Sequence, residues 1–169
     1  MAIVETAEAG LRAAAKGATV IQLRAPDRTA SELEREARQL AGNFPVVIVS
    51  SRCDIALAAG LQGLNLPEND ISVADARKLL GGEKLIGRSV HSLKAGLQAE
   101  ADGADYVILG PIWASPTHPN RMGLGVATLS AVAKALRIPV LAIGGVDVDS
   151  ALDALAAGAA GYAGIRMFQ

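Results

Sequence analysis

Aromatic residues are nearly absent from this chain: two Phe, two Tyr and one Trp make up 3% of its 169 residues, although 51% of the residues are hydrophobic. The core must therefore be aliphatic and rich in Ala, which suits slim helices packed closely on a buried parallel sheet. Cysteine is limited to Cys53. That excludes an internal disulfide and any multi-Cys metal cage, and a lone Cys reads as a small core residue. An excess of one charge is lacking too. The net charge is −1, with Lys and Arg scattered along the chain, so nothing marks a nucleic-acid or membrane surface. The opening MAIVETAEAG has no basic region ahead of an apolar stretch, unlike a signal peptide. No apolar run approaches the ~20 residues that span a bilayer. These absences point to the cytoplasm, and the length points to one domain over residues 1–169 with a substantial core.

What is present is a regular alternation of apolar runs and helical segments. Strands are expected at Ala18–Arg24, Val46–Ser50, Gly63–Leu66, Lys84–Val90, Tyr106–Leu109, Val140–Ile143 and Gly161–Met167. Helices fall between them. The first covers roughly Glu5 to Lys16 and stops at Gly17, and Ser31-x-x-Glu34 reads as a capping box opening a charged helix to about Ala41. Ser72 and Ser92 read as the caps of two more. Gly17, Gly60 and Gly103 recur at equal spacing, each interval holding two strand–helix units. Equal β/α units favour a parallel barrel over an open sheet. The expected fold is a (β/α)8 TIM barrel lacking the first strand and last helix, because only seven strands are counted. Such a barrel would leave unpaired edges at Ala18 and Gly161, to be filled by side chains or paired in a homodimer or other homo-oligomer.

Strand ends supply the candidate site. Ile143-Gly144-Gly145-Val146 lets backbone N–H groups approach a phosphate, and the end of the last strand, with Ile165 and Arg166, lies beside it in a barrel. Gln22 and Arg24 alternate with Ile21 and Leu23, so both can face the barrel mouth; the bland alternative pairs Arg24 with Asp54 or Asp70. Ser89 and His91 share one face of their strand, and His91 suits proton transfer or a structural role equally. The stretch Asp105–Gly125, DYVILGPIWASPTHPNRMGLG, is a buried strand opening into a polar loop with Ser115, Thr117 and His118. No spacing of His or carboxylates fits a metal cage.

Together, IGRSVHSLKAGLQAEADGADYVILGPIW and IPVLAIGGV resemble the thiamine phosphate synthase/TenI family of (β/α)8 barrels. The resemblance runs from Ala18 to the end of the chain. It implies a thiamine-biosynthesis protein that binds a thiazole phosphate. Family synthases join a hydroxymethylpyrimidine diphosphate to a thiazole phosphate, releasing pyrophosphate with Mg²⁺. TenI-type members are thiazole tautomerases that transfer a proton to give the aromatic thiazole phosphate and need no cofactor. Gln22 and Arg24 match the family's Q-L-R-E-K strand end, whose Lys falls on Pro26. Its N-D pair falls on Ser50-Ser51, Asp70 matches the second metal-binding Asp, and Ser89 a diphosphate-contacting Ser. Ser115 and Thr117 match the hydroxyls of T-x-T-K, the Lys becoming His118. Gly144 and Gly145 match fully, while Arg166 replaces a family Ser. The lost lysines and carboxylate weaken the diphosphate end, and the GRSVHS and N-L-P stretches look more like TenI. This favours a tautomerase, with His118 and His91 as proton-transfer candidates, although the TenI catalytic His position holds Pro111. A synthase using Asp70 and Mg²⁺ is the alternative, and a catalytically silent ligand-binding or regulatory homologue is the third reading.

Overall fold

The computed structural model describes residues 1–114 and 122–168. Eight parallel strands run in chain order around one sheet: β1 (Ala2–Val4), β2 (Ile21–Leu23), β3 (Val47–Ser50), β4 (Gly63–Leu66), β5 (Leu85–Val90), β6 (Tyr106–Leu109), β7 (Val140–Ile143) and β8 (Gly161–Ala163). Seven helices connect them: α1 (Ala7–Ala15), α2 (Ala30–Ala41), α3 (Cys53–Ala58), α4 (Val73–Leu80), α5 (Leu93–Ala101), α6 (Gly125–Ala135) and α7 (Val148–Ala156). The first strand expected to be missing is therefore present. It is Ala2–Val4, all buried, and it pairs in register with β2. Nor are there open edges at Ala18 and Gly161. Ala2 bridges Gly164, the Ile3 amide donates to the Gly164 carbonyl at 3.0 Å, and the Gly164 amide donates to the Met1 carbonyl at 3.1 Å. Beyond β8 the described residues continue as a 3₁₀ turn, Arg166–Phe168, where the sequence suggested a strand reaching Met167.

Alternation along the strands sorts the core into two parts. Outward residues such as Ile21, Leu23, Val47, Val49, Leu64, Leu66, Val107 and Leu109 pack under the helices with many Ala. Inward residues Ile3, Ile48, Tyr106, Ile108 and Ala163 form a separate cluster inside the barrel. Tyr106 is its one aromatic, and it fits because Gly87 faces it from β5. A Cβ on Gly87 would lie 2.0 Å from the ring. Burial holds the Tyr106 hydroxyl far above its ordinary range, so it stays protonated.

The helix starts are set by side-chain caps. Thr6 opens α1, Ser72 α4 and Ser92 α5, each accepting a backbone N–H from its own first turn. The capping box of α2 is Thr29 with Glu32, two residues before the expected Ser31–Glu34 pair. Odd-numbered helices end on a glycine in the left-handed region: Gly17, Gly60, Gly103 and Gly158, with φ of 91°, 65°, 89° and 97°. This is the physical basis of the equally spaced glycines.

Candidate active site

Above the inward apolar cluster the barrel turns polar. On β2, Gln22 is buried and donates through Nε2 to Ser50 Oγ on β3 at 2.7 Å. On β4, Asn65 is buried and donates through Nδ2 to Ser89 Oγ on β5 at 2.9 Å. The two pairs follow one rule: each amide reaches the residue two places beyond its register partner on the next strand. Ser50 and Asn65 are themselves register partners, so the four side chains form one arc over β2–β5. Each amide leaves its carbonyl oxygen, Gln22 Oε1 and Asn65 Oδ1, buried with no partner among the described residues. A buried acceptor without a donor is costly and marks a place where a ligand can supply one. Each serine oxygen already accepts from an amide, so its own hydrogen remains to be donated.

The rim follows the strand ends. After β3, Ser51 takes φ 64°, a left-handed conformation rare outside Gly and Asn, and its amide donates to the Asn65 carbonyl at 3.1 Å. Arg52 holds Asp54 in a two-pronged pair at 2.8 and 2.6 Å, so Asp54 is not the partner of Arg24. The guanidinium holds the Asp54 carboxyl below its usual range. Arg88 clamps the loop after β4, donating to the carbonyls of Glu68 and Ile71, both at 2.6 Å. Asp70 Oδ1 accepts the Ile71 amide at 2.8 Å. Burial raises the nearby Cys53 thiol above its ordinary value, with Asp70 and Asp54 adding to the shift.

His91, past the end of β5, places Nδ1 against the Gly110 carbonyl, which can only accept. That fixes the proton on Nδ1. Nε2 then faces Glu68 Oε2 at 3.8 Å and is open to take a proton. Gly144 and Gly145 both adopt left-handed φ, 93° and 68°. A Cβ on Gly144 would lie 2.5 Å from Pro111, and one on Gly145 2.6 Å from the Ala114 carbonyl oxygen. The turn is thus laced to the segment after β6, where Ile112 and Trp113 donate to the carbonyls of Ile143 and Gly144. Close packing requires these glycines independently of any phosphate. α7 starts beside them at Asp147, whose carboxylate accepts the Ser150 amide at 2.9 Å and is held below its usual range by it.

Of the residues singled out by sequence, Gln22 and Ser89 belong to the polar arc, and His91 and Asp70 to the rim around β4 and β5. Gly144 and Gly145 lie across the mouth with the β6 segment. Arg24 and Ile165 share a cavity of about 460 Å³ over the β8–β1 seam, and Arg166, itself exposed, begins the turn beside it. Ser115, Thr117 and His118 lie outside the described residues. Sequence reasoning missed Asn65 and Arg88. Asn65 was visible as a polar residue between Leu64 and Leu66 on a buried strand.

The sequence matches the family described as thiamine monophosphate synthase over residues 2–168. The chain belongs to that family. It is 39% identical over 168 residues to the thiamine-phosphate synthase of Chloroflexus aurantiacus, covering 96% of this chain and 74% of that one. With the enzyme of the same name from Moorella thermoacetica it shares 42% over 154 residues, 88% of this chain and 73% of the relative. Its fold superposes on thiamine phosphate pyrophosphorylase from Pyrococcus furiosus with a TM-score of 0.88 at 29% identity, covering 97% of this chain and 83% of that one. The family expected from the sequence motifs is thus correct. The relatives' names carry the synthase activity rather than the TenI tautomerase. No helix among the described residues is long and apolar enough to cross a membrane.

Proposed function

We propose that this barrel is a thiamine-phosphate synthase, coupling a hydroxymethylpyrimidine diphosphate to a thiazole phosphate with release of pyrophosphate. The carrying observation is the polar arc. Two buried amide oxygens at Gln22 and Asn65, unpartnered among the described residues and flanked by the hydroxyls of Ser50 and Ser89, suit a flat heterocycle that offers N–H donors and ring-nitrogen acceptors. The names of relatives near 40% identity support the same reading.

Binding follows from the geometry. Gln22 and Asn65 accept from the heterocycle, and Ser50 and Ser89 donate to it, so the ring is oriented before reaction. Arg24 and Arg166 bring positive charge to the rim for the phosphates. The Gly144–Gly145 turn brings backbone rather than side chains to the opposite side of the mouth, where a thiazole phosphate can approach closely.

Magnesium is tested by its donors. The described residues contain no cluster of three His, Cys, Asp or Glu side chains. Asp70 lies in the loop after β4, two residues from Glu68, with Ser51 where the family has its other acid. Mg²⁺ commonly binds one or two carboxylates and completes its shell with water and substrate phosphate. These residues fit such a substrate-completed ion, with Asp70 holding it. When bound it would offset charge on the departing diphosphate.

The tautomerase reading has one observation in its favour, the fixed tautomer of His91 with Nε2 facing Glu68, which suits proton transfer. One assay set separates the readings. The chain is incubated with pyrimidine diphosphate and thiazole phosphate, with and without Mg²⁺, and separately with the tautomerase substrate. Mg²⁺-dependent thiamine phosphate formation is expected. Isomerisation without coupling would replace the synthase by the tautomerase, and binding without turnover would leave a silent ligand-binding homologue.

A further inference from the structure

A loop beyond a strand end keeps one shape only if something outside it holds it. Residues 67–71, which follow β4, are held by one side chain of the neighbouring strand. Arg88 alternates on β5 with the inward Gly87 and Ser89, so it lies on the helix-facing side, with Leu66, the last residue of β4, as its register partner. The guanidinium therefore meets the chain where it leaves the sheet. Nη2 donates to the Glu68 carbonyl at 2.6 Å and, at 3.4 Å, to that of Asp70, while Nη1 donates to the Ile71 carbonyl at 2.6 Å. Among the described residues Arg88 forms no ion pair, and its planar fork is given over to backbone carbonyls. Lysine, a point charge without that fork, is no substitute.

The clamp bears on Asp70. The Asp70 amide donates to the Pro67 carbonyl at 3.1 Å, its carbonyl faces Arg88, and its Oδ1 accepts the Ile71 amide at 2.8 Å. Oδ2 alone has no partner among the described residues. The Cys53 thiol, raised first by burial and then by the Asp70 charge, belongs to the first residue of α3. The carboxylate thus stands near the end of β3, by Ser50 and Ser51. We propose that Arg88 is a positioning residue for the diphosphate site: by holding the carbonyls of the loop, it fixes the Asp70 carboxylate with Oδ2 left for a divalent cation. This rests on the synthase reading, in which Asp70 holds Mg²⁺, and Arg88 acts through Asp70 rather than on the ion. A clamp that merely steadied the fold would leave metal binding unmoved.

The test is titration calorimetry of the full chain with inorganic pyrophosphate, once in excess Mg²⁺ and once in EDTA, the ratio of the two affinities reporting the metal. Arg88→Met should lower that ratio about 10- to 100-fold, and Arg88→Lys, which keeps the charge and loses the fork, should lower it too. Charge alone predicts the opposite for Arg88→Met, because removing a cation beside a metal site strengthens the metal's binding. Asp70→Asn should also lower the ratio, and adding Arg88→Met to it should change nothing more, since one residue acts through the other. Circular dichroism checks folding, and Arg88→Lys carries the test if Arg88→Met does not fold. A wild type whose pyrophosphate affinity ignores Mg²⁺ overturns this inference together with the metal of the synthase reading. Metal-dependent binding in the wild type that both Arg88 variants retain overturns the inference alone. So does a loss equal in EDTA and in Mg²⁺, which would place the guanidinium on the diphosphate itself.

Discussion

Asn65→Leu separates the cost of the polar arc from its use. Among the described residues Asn65 makes one side-chain hydrogen bond, to Ser89, and leaves Oδ1 buried without a donor. The bond contributes about 1 kcal/mol, and the unmade one costs about 1–3 kcal/mol. Leu has nearly the same shape, removes both, and adds apolar burial of about 1 kcal/mol or more at a site only 2% exposed. Ser89 is half-buried, so its hydroxyl can be solvated once the Asn65 amide is gone. The net is a gain of roughly 1–3 kcal/mol, a rise in Tm of about 2–12 °C for a chain of this size. The same change removes an acceptor that the heterocycle needs, so affinity for the pyrimidine diphosphate should fall about 10- to 100-fold. Urea unfolding measures the first effect and titration calorimetry the second. A variant less stable than the parent at unchanged m-value would show that Oδ1 is satisfied in the free protein, and unchanged affinity would remove Asn65 from the binding site.

Three further outcomes follow from the packing and the caps. Gly87→Ala drives a Cβ to 2.0 Å from the Tyr106 ring and should cost about 3 kcal/mol; adding Tyr106→Leu should recover part of the loss in urea unfolding, and strictly additive losses would deny the contact. Gly144→Ala combines φ 93° with a 2.5 Å approach to Pro111. It should cost about 1–3 kcal/mol and shift the emission of the sole Trp, Trp113, which hydrogen-bonds to that turn; unchanged emission would show that the turn and the segment after β6 are uncoupled. The Asp147 carboxyl is depressed by the Ser150 N–H, so its cap adds stability above the unfolded-state pKa and loses it as pH falls through the lower folded-state value. The stability gap between wild type and Asp147→Ala should therefore narrow from pH 7 into the acid range in urea titrations, and a gap that widens there contradicts the reasoning.

How much of this was legible follows from how local each signal is. The repeating strand–helix order, the helix-ending glycines and the Ser72 and Ser92 caps depend on neighbours in sequence, and all were read correctly. β1 was not, because three apolar residues are too few to register as a strand; its partners, Ile21–Leu23 and Gly164, lie far along the chain. Two overlapping Ser/Thr-x-x-Glu patterns compete at α2. Thr29 wins because its extended backbone lets the Thr29 and Glu32 side chains satisfy both free N–H groups, which puts Ser31 inside the first turn. In the site, Gln22 and Ser89 were readable from alternation. The arc that joins them to Ser50 and Asn65 was not, because it depends on the stagger between neighbouring parallel strands. His91 drew notice as an imidazole, but its tautomer is set by the Gly110 carbonyl on the next strand. Gly144 and Gly145 were read chiefly for phosphate, whereas their contact with Pro111 and Ala114 also demands them.

The seam between β8 and β1 also constrains how the chain is born. The Met1 ammonium donates to the Tyr162 carbonyl, a partner 161 positions away, and the Ile3–Gly164 rung spans the same separation. Every other strand meets its preceding neighbour after one helix, so the sheet can grow on the ribosome unit by unit as the nascent chain emerges. Closure alone must wait until β8 has left the exit tunnel. Throughout synthesis the first strand is therefore a bare template, and at only three residues it offers little for another nascent chain to grasp.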